Sequence, residues 1–300
     1  MNNLSLKNIL NLILLDKIKI IIGFFIFAIV AVAYSLSLPN IYTARVVVSS
    51  NINESSGGLS GSLGGLASMA GISLGGGEMS PEVVKEALAS NSFLGEFVQE
   101  IKLAEVLFAA TNFDSGENKF NYDDSIFNKE TGEWVRKFKY PKTQKPSTEE
   151  MAVKFKESLT FSFDRKTKLI NITFSSLSPK LSKSVLDLLI TSFNEHMKEK
   201  DQLDAQKTID YLKGKLNEEK VLEVRLALQQ LFEEQLKKLA FTETKAEYAL
   251  RVLDKPLIPS NKSEPKRAVI CVAISVFGTL LLVFILLSFR VYRLDKSKEA

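Results

Sequence analysis

Two long apolar runs, one near each end of the chain, constrain its fold more than any other feature. The first covers residues 20–38 and the second covers residues 268–289, and neither contains a charged side chain. At about 1.5 Å of rise per residue, a helix of either length would cross the roughly 30 Å hydrocarbon core of a bilayer. Because neither run shows the polar face of a helix packed on a soluble core, we predict two transmembrane helices.

The first run has an alternative interpretation as a cleaved signal peptide. Ala31-Val32-Ala33 offers the small-residue pattern of a cleavage site. The run is longer than a usual signal-peptide core, however, and residues 4–19 form a long stretch before it. These features favour a retained membrane helix.

Basic residues on the outer flank of each run predict the orientation. They are Lys7, Lys17 and Lys19 before the first run, and Arg290, Arg293, Lys296 and Lys298 after the second. The positive-inside rule then predicts that residues 1–19 and 290–300 are cytoplasmic and that about 230 residues between the spans lie outside the cytoplasm. Lys262, Lys266 and Arg267 weaken the rule at the second run, so the orientation depends mainly on the first.

The net charge and the cysteine content argue against a nucleic-acid-binding protein and against a domain stabilised by disulfides. The formal net charge of +4 is small and scattered, which does not indicate a nucleic-acid partner. The single cysteine, Cys271, lies inside the second run. The region between the spans therefore has no disulfide, and we expect packing or oligomerisation to stabilise it.

The segment that follows the first run begins with strand and helix signals. Residues 41–50 are rich in strand formers, and Ser80-Pro81 has the form of an N-cap followed by proline, which predicts a helix to about Glu100. Residues 111–146 are polar with turn residues, which predicts loops and a short strand near 133–138.

A second group of signals follows in 147–200. Ser147 and Glu150 fit a capping box for a helix to about Ser158, and residues 159–164 and 169–176 alternate as two strands of a hairpin. Ser178-Pro179 then predicts a helix whose apolar face contains Leu181, Val185, Leu188, Leu189 and Phe193. We therefore predict a membrane-proximal α+β domain over residues 39–200.

Residues 201–253 predict one long projecting helix, because they contain no proline and only Gly214 among glycines. Its length would be roughly 80 Å. Apolar residues occur in heptad-like blocks that are offset by five-residue steps, which argues against one regular two-stranded coiled coil. The small domain cannot cover such a helix, so we expect identical subunits to do so.

Residues 254–267 follow this predicted helix and contain Pro256, Pro259 and Pro265. Proline prevents helix continuation and favours extended backbone. The segment is predicted either as a semi-rigid strap that leads to the second span or as an ordinary linker.

A glycine-rich stretch holds nine of the fifteen glycines between Gly57 and Gly77. Residues 57–78 contain no lysine or arginine, so they lack the cation of a phosphate-binding loop. Apolar residues recur there every three to four positions, which a flexible linker would not need. We predict a packed segment, and the candidates for a subunit contact are Gly64, Gly65, Met69 and Gly71.

The sequence offers no catalytic constellation. His196 is the only histidine, which excludes a histidine-based metal cluster, and it fits a helix surface. Asp123 and Asp124 lie in a polar loop and are interpreted as solvated, while Trp134 is interpreted as a core residue in preference to a sugar platform. No G-x-S-x-G motif is present. We expect no enzyme activity, cofactor or metal.

The chain resembles the Wzz-type polysaccharide co-polymerases, the chain-length determinant family of bacterial inner membranes. The resemblance includes the two terminal spans, "PNIYTARVVV", "GGLASMAGISLGGG", the segment from "KPSTEEM" to "LSPKLSK", the long helix, and "VLDKPLIPSNKSEPKR". Lys262 departs from the family, whose strap often has a further proline there.

The resemblance implies a ring-forming homo-oligomer that regulates the length of a lipid-linked glycan such as O-antigen, made by a separate polymerase. It also implies that long helices point into the periplasm. Because the sequence ends at Ala300, we expect no fused tyrosine kinase. The alternatives are an adaptor for capsule or exopolysaccharide export, a sensor, for which the predicted cytoplasmic tail is too short, and an enzyme with distant carboxylates.

Overall fold

The computed structural model describes residues 16–50 and 81–299, with side chains to Phe289. The chain divides into two compact units. One contains Met1–Ile41 with Asn261–Ala300, and the other is Tyr42–Ser260.

The first unit contains the two predicted membrane helices. Helix α1 is Lys17–Ser37, and the carboxyl-terminal helix of the chain is Arg267–Glu299. The two pack against each other. Within the part of the chain that the structure describes, Lys17–Ser37 and Arg267–Phe289 are long and apolar enough to cross a membrane, and few of their residues are buried. Both predicted spans are therefore confirmed as helices with apolar, outward-facing surfaces.

The second unit is built on one antiparallel sheet of four strands, β1 (Tyr42–Ser50), β6 (Leu159–Asp164), β7 (Leu169–Ser176) and β8 (Leu250–Asp254). Their order in the sheet is β6-β7-β1-β8. Val46 pairs with Ile172 and Val48 with Ile170, so their side chains share a face of the sheet. All four are fully buried, and this face forms one wall of the core.

Helices cover the buried face of the sheet. They are α2 (Pro81–Leu88), α3 (Asn91–Glu100), α4 (Ala104–Ala109), α5 (Thr148–Ser158) and the first half of α6 (Pro179–Glu218). The largest side chains in the core are Phe97, Phe155, Phe174 and Phe193, each almost wholly buried. The predicted α+β class is therefore observed, with one layer of helices on one layer of strands.

The predicted capping signals form as expected where the structure describes them. The Ser147 hydroxyl accepts from the Glu150 amide while the Glu150 carboxylate accepts from the Ser147 amide, which completes a capping box. Ser178 caps α6 by accepting from the Leu181 amide. The single helix predicted to Glu100 is wrong, because Ser90 caps a second helix at that point.

The polar region before α5 contains more structure than predicted. β2 (Ala110–Asp114) and β3 (Lys119–Tyr122) form a hairpin, and β4 (Phe127–Asn128) pairs with β5 (Glu133–Trp134). The strand predicted at 133–138 is thus present but shorter. Turn residues at both hairpins obscure the strands, since strands of two to five residues give little measurable alternation.

The single helix predicted over residues 201–253 is wrong. Helix α6 begins at Pro179 inside the predicted domain and ends at Glu218, and α7 (Leu222–Thr244) follows after three residues. Lys238 of α7 lies 3.1 Å from Asp201 of α6, so α7 returns antiparallel to α6 as a helical hairpin. The last part of the predicted helix is strand β8.

The turn between α6 and α7 forms without glycine or proline. Glu219 has extended backbone angles, and its carboxylate accepts hydrogen bonds from the amides of Lys220 and Val221. The side chain thus satisfies amides that the helix would otherwise bond. The turn coincides with the five-residue step between Leu216 and Val221 in the apolar pattern. The step therefore reflects a turn between two helices and not one continuous helix.

Candidate functional site

The hairpin of α6 and α7 buries a narrow apolar strip. Ala205, Ile209 and Leu212 occur at helical spacing on α6 and are nearly fully buried, and Thr242 is the buried residue of α7 in the described part of the chain. A strip of this width joins two helices but leaves most of both surfaces in contact with solvent.

Asp201 holds the base of the hairpin. Its carboxylate accepts from the Lys238 ammonium at 3.1 Å and from the Tyr248 hydroxyl at 2.7 Å. Partial burial, together with the Asp201 carboxylate, raises the pKa of Tyr248 above its ordinary value. The neutral phenol therefore remains a donor, and it fixes the chain that leaves α7 against α6.

Asn194 binds the same segment about two turns before Asp201 on α6. Its side-chain oxygen accepts from the amides of Ala249 and Leu250, and its side-chain nitrogen donates to the Leu250 carbonyl. Asn194 is 6% exposed, so these bonds are shielded from water. Together with Asp201 it sets how the hairpin joins edge strand β8.

Large apolar side chains cover much of the rest of the hairpin while facing solvent. They are Leu203, Tyr211, Val221, Leu222, Val224, Leu226, Leu236 and Phe241, each between 43% and 64% exposed. We call them the exposed hairpin residues. An apolar surface of this extent on a helical pair is typical of a protein contact.

A groove of about 490 Å³ lies between α6 and α7 near the base of the hairpin. Its lining residues are Glu199, Gln202, Leu203, Gln206, Leu239 and Glu243. Its two carboxylates are not accompanied by a histidine or cysteine, and residues 16–50 and 81–299 contain no cluster of three or more metal-ligating side chains. The groove has both polar and apolar lining residues, and these residues do not form a recognisable catalytic group.

Helices α1 and α8 (Arg267–Glu299) pack through glycines on each side. A Cβ atom on Gly23 would lie 2.1 Å from Leu282, and one on Gly278 would lie 2.7 Å from the Phe27 ring. Each helix thus places a large side chain over the glycine of the other. Small residues that admit close approach are the usual means of pairing membrane helices, because lipid removes the hydrophobic driving force.

The predicted site residues fall in different places. Gly64, Gly65, Met69 and Gly71 lie outside the described residues. Pro256 is buried and Pro259 is partly buried, both in the unit that contains the sheet, whereas Pro265 belongs to the unit of the membrane helices. The backbone after β8 has no regular secondary structure as far as Ser263.

The residues weighed as catalytic candidates have structural surroundings. Trp134 packs edge-on to Phe108 and lies 5.2 Å from Phe127, as predicted for a core residue. His196 is exposed on α6. Asp123 accepts from the amide and hydroxyl of Ser125, and these bonds lower the pKa of Asp123.

Sequence reasoning missed a partly buried ion pair between the loop before α5 and the helix itself. Arg136 donates two hydrogen bonds to the Glu150 carboxylate, at 3.0 and 2.8 Å, and others to the carbonyls of Thr143 and Gln144. The hydrogen bonds from Arg136, above all, hold the pKa of Glu150 at about 2. The Ser147–Glu150 motif explained only the capping role of this glutamate.

Comparison with known proteins finds one family model and several solved structures that are similar to this chain. Residues 2–101 match the family model described as Wzz, chain length determinant protein. A solved "full-length bacterial polysaccharide co-polymerase" aligns over 96% of this chain and 98% of its own, at 14% identity and a TM-score of 0.41. A WzzB fragment, a polysaccharide co-polymerase from Salmonella Typhimurium, aligns over 75% of this chain and 100% of its own, at 14% identity and a TM-score of 0.31.

No curated relative matches the chain. The family match includes α1, β1, α2 and α3 as well as the glycine-rich stretch. The same part of the chain contains the first span, the segment "PNIYTARVVV" and the glycine-rich stretch on which the sequence resemblance was based. Residues 2–101 are therefore similar to the chain length determinant family over one third of the chain.

Proposed function

We propose that the protein is an oligomeric inner-membrane scaffold that sets the chain length of a lipid-linked polysaccharide of the O-antigen type, made by a separate polymerase. Both termini lie in the cytoplasm in this proposal, and residues between the spans lie in the periplasm. The protein performs no glycan chemistry itself. Support comes from the family match, the two membrane helices and the positive charges flanking α1.

The observation that carries the proposal is the set of exposed hairpin residues. The strip buried between α6 and α7 leaves Leu222 64% exposed and Leu226 52% exposed on the same side of α7. A second copy of the hairpin would supply the missing apolar neighbours. Fully burying a leucine contributes about 1.5–3 kcal/mol, so several such residues favour association of membrane-tethered copies.

The experiment compares two double variants of the full-length chain. Leu222→Glu with Leu226→Glu adds two negative charges to the proposed contact, and we expect oligomers to dissociate because buried, unpaired carboxylates are costly. Gln230→Glu with Lys237→Gln changes the net charge equally at exposed polar positions of α7. Native mass spectrometry in detergent gives the oligomeric state.

The same variants are then introduced into a strain that lacks the gene. We expect deletion to change the polymer length distribution on a gel while polymer is still made, and the leucine variant to behave like the deletion. Loss of all surface polymer on deletion would instead support the export adaptor. An unchanged length distribution in the deletion strain would reject the scaffold proposal.

A further inference from the structure

A cluster of three cations lies at the start of α8. Lys262 and Lys266 are exposed in the preceding segment, and Arg267 is the first residue of the helix. All three belong to the unit of the membrane helices. Their charge opposes the orientation predicted by the positive-inside rule, and the proposed length control gives them no role.

The backbone fixes this segment beside the end of α1. The Ile41 amide donates to the Glu264 carbonyl at 3.0 Å, and the Ser263 amide donates to the Ile41 carbonyl at 2.8 Å. These bonds form an isolated antiparallel bridge. The cations on either side of it are therefore held by backbone structure and do not lie on a free tail.

Asn40 brings two of the cations together. Its side-chain oxygen accepts from the Lys262 ammonium at 3.3 Å and from the Arg267 guanidinium at 3.2 Å. Two positive groups that share one neutral acceptor lie within two hydrogen-bond lengths of each other, and they repel. The part of the chain that the structure describes shows no ion pair to either of them or to Lys266, and the exposed Glu264 makes none with them.

Arg267 also has an unused donor. Its Nε atom is buried and has no acceptor among the described residues. A buried guanidinium donor normally has a partner. The amino-terminal end of the long helix α8 adds positive potential at the same place.

We propose that Lys262 and Arg267, which both donate to Asn40, bind the phosphate group of a membrane lipid together with the adjacent Lys266. Phosphate oxygens match the planar guanidinium fork and the two ammonium groups. Arg267 begins a membrane-spanning helix, so its head group lies at the depth of lipid phosphates. This inference depends on the two membrane helices and does not depend on the proposed length control.

The phosphate could belong to a phospholipid or to a polyprenyl phosphate that carries glycan, and the test separates the two. Full-length protein in neutral detergent is titrated with phosphatidylglycerol, with a polyprenyl phosphate and with the uncharged polyprenol, and bound lipid is counted by native mass spectrometry. We expect the wild-type protein to retain at least one phosphate lipid and to release polyprenol. The phosphate lipid with the higher occupancy identifies the source.

Substitutions assign the binding to the cluster. Arg267→Gln removes a charge-assisted contact, and we expect the dissociation constant for the retained lipid to rise by about tenfold. The triple change to Gln at Lys262, Lys266 and Arg267 is expected to raise it by about a hundredfold. Raised salt should weaken wild-type binding as well, which tests the charge dependence without any variant.

A matched triple variant controls for net charge. Lys207→Gln, Lys213→Gln and Lys220→Gln remove the same charge from the hairpin and should leave lipid binding unchanged. Wild-type affinity in the cluster variant, equal weakening in the control, or polyprenol binding as tight as polyprenyl phosphate would each overturn the proposal. The polymer length assay is a separate readout, so failure of one inference does not decide the other.

Discussion

Gly95 of α3 gives the sharpest test of the packing that positions the sheet and the hairpin. A Cβ atom at this position would lie 2.3 Å from the Thr148 carbonyl oxygen and 2.9 Å from its carbonyl carbon, whereas ordinary van der Waals contact begins near 3.4 Å. Thr148 is the first residue of α5, next to the Ser147 capping box, so its backbone is held in place. Gly95→Ala therefore requires α3 and α5 to separate.

The magnitude combines two opposing effects. Overpacking a core contact destabilises by about 1–3 kcal/mol, and more when backbone must shift, while Ala in place of Gly in a helix contributes about 1 kcal/mol of stability. We expect Gly95→Ala to lower the free energy of unfolding by roughly 2 kcal/mol. For a domain of this size, that corresponds to a fall in Tm of about 4–8 °C.

Gly214 provides the matched control, because a Cβ there would meet no atom within 4 Å. Gly214→Ala in α6 should keep only the helix-propensity gain, about 1 kcal/mol, and raise Tm by about 2–4 °C.

Thermal unfolding of the full-length chain in detergent can be followed by fluorescence of Trp134, the single tryptophan, which packs in the affected unit. A Gly95→Ala protein as stable as the wild type would refute the close contact between α3 and α5.

Further predictions concern the hairpin base and the loop before α5. Asp201→Ala leaves the Tyr248 hydroxyl without its acceptor, so we expect the free energy of unfolding to fall by about 2 kcal/mol and amide exchange in α7 to become faster. Asp204→Ala, on the exposed face of α6, should change neither quantity. Because Arg136 lowers the pKa of Glu150 from 4.5 to about 2, the folded state favours the ionised carboxylate. The ionised Glu150 carboxylate should therefore contribute at most about 3 kcal/mol to the free energy of unfolding, measured with denaturant, at any pH above 4.5. This contribution should be lost as the pH falls from 4.5 to 2, and the Glu150→Gln variant should show no such loss.

Local signals in the sequence were sufficient for the elements that depend on neighbouring residues. The uncharged runs determine the two membrane helices, because any polar residue there would be costly in lipid. The Ser147–Glu150 capping box and the Ser178-Pro179 start form as predicted, since both are contacts between residues a few positions apart. The family resemblance depended on such segments too.

The length of α6 and the return of α7 required tertiary structure. No glycine or proline marks the turn at Glu219, and helix propensity is high on both sides of it. What ends α6 there is the burial gained when α7 packs back on α6 and covers Ala205, Ile209 and Leu212. Periodicity within one segment cannot report such a contact.

The candidate sites also include some features that the sequence predicts and others that only the tertiary structure determines. Hydropathy and residue counts predicted two membrane helices and a cysteine-free region between them, because both are properties of the chain itself. Only the folded structure places Asn194 and Asp201 against the chain that leaves α7, and Asn40 against Lys262 and Arg267. Those contacts join residues far apart in sequence, and their free energy depends on burial and distance, which are set when the whole chain folds.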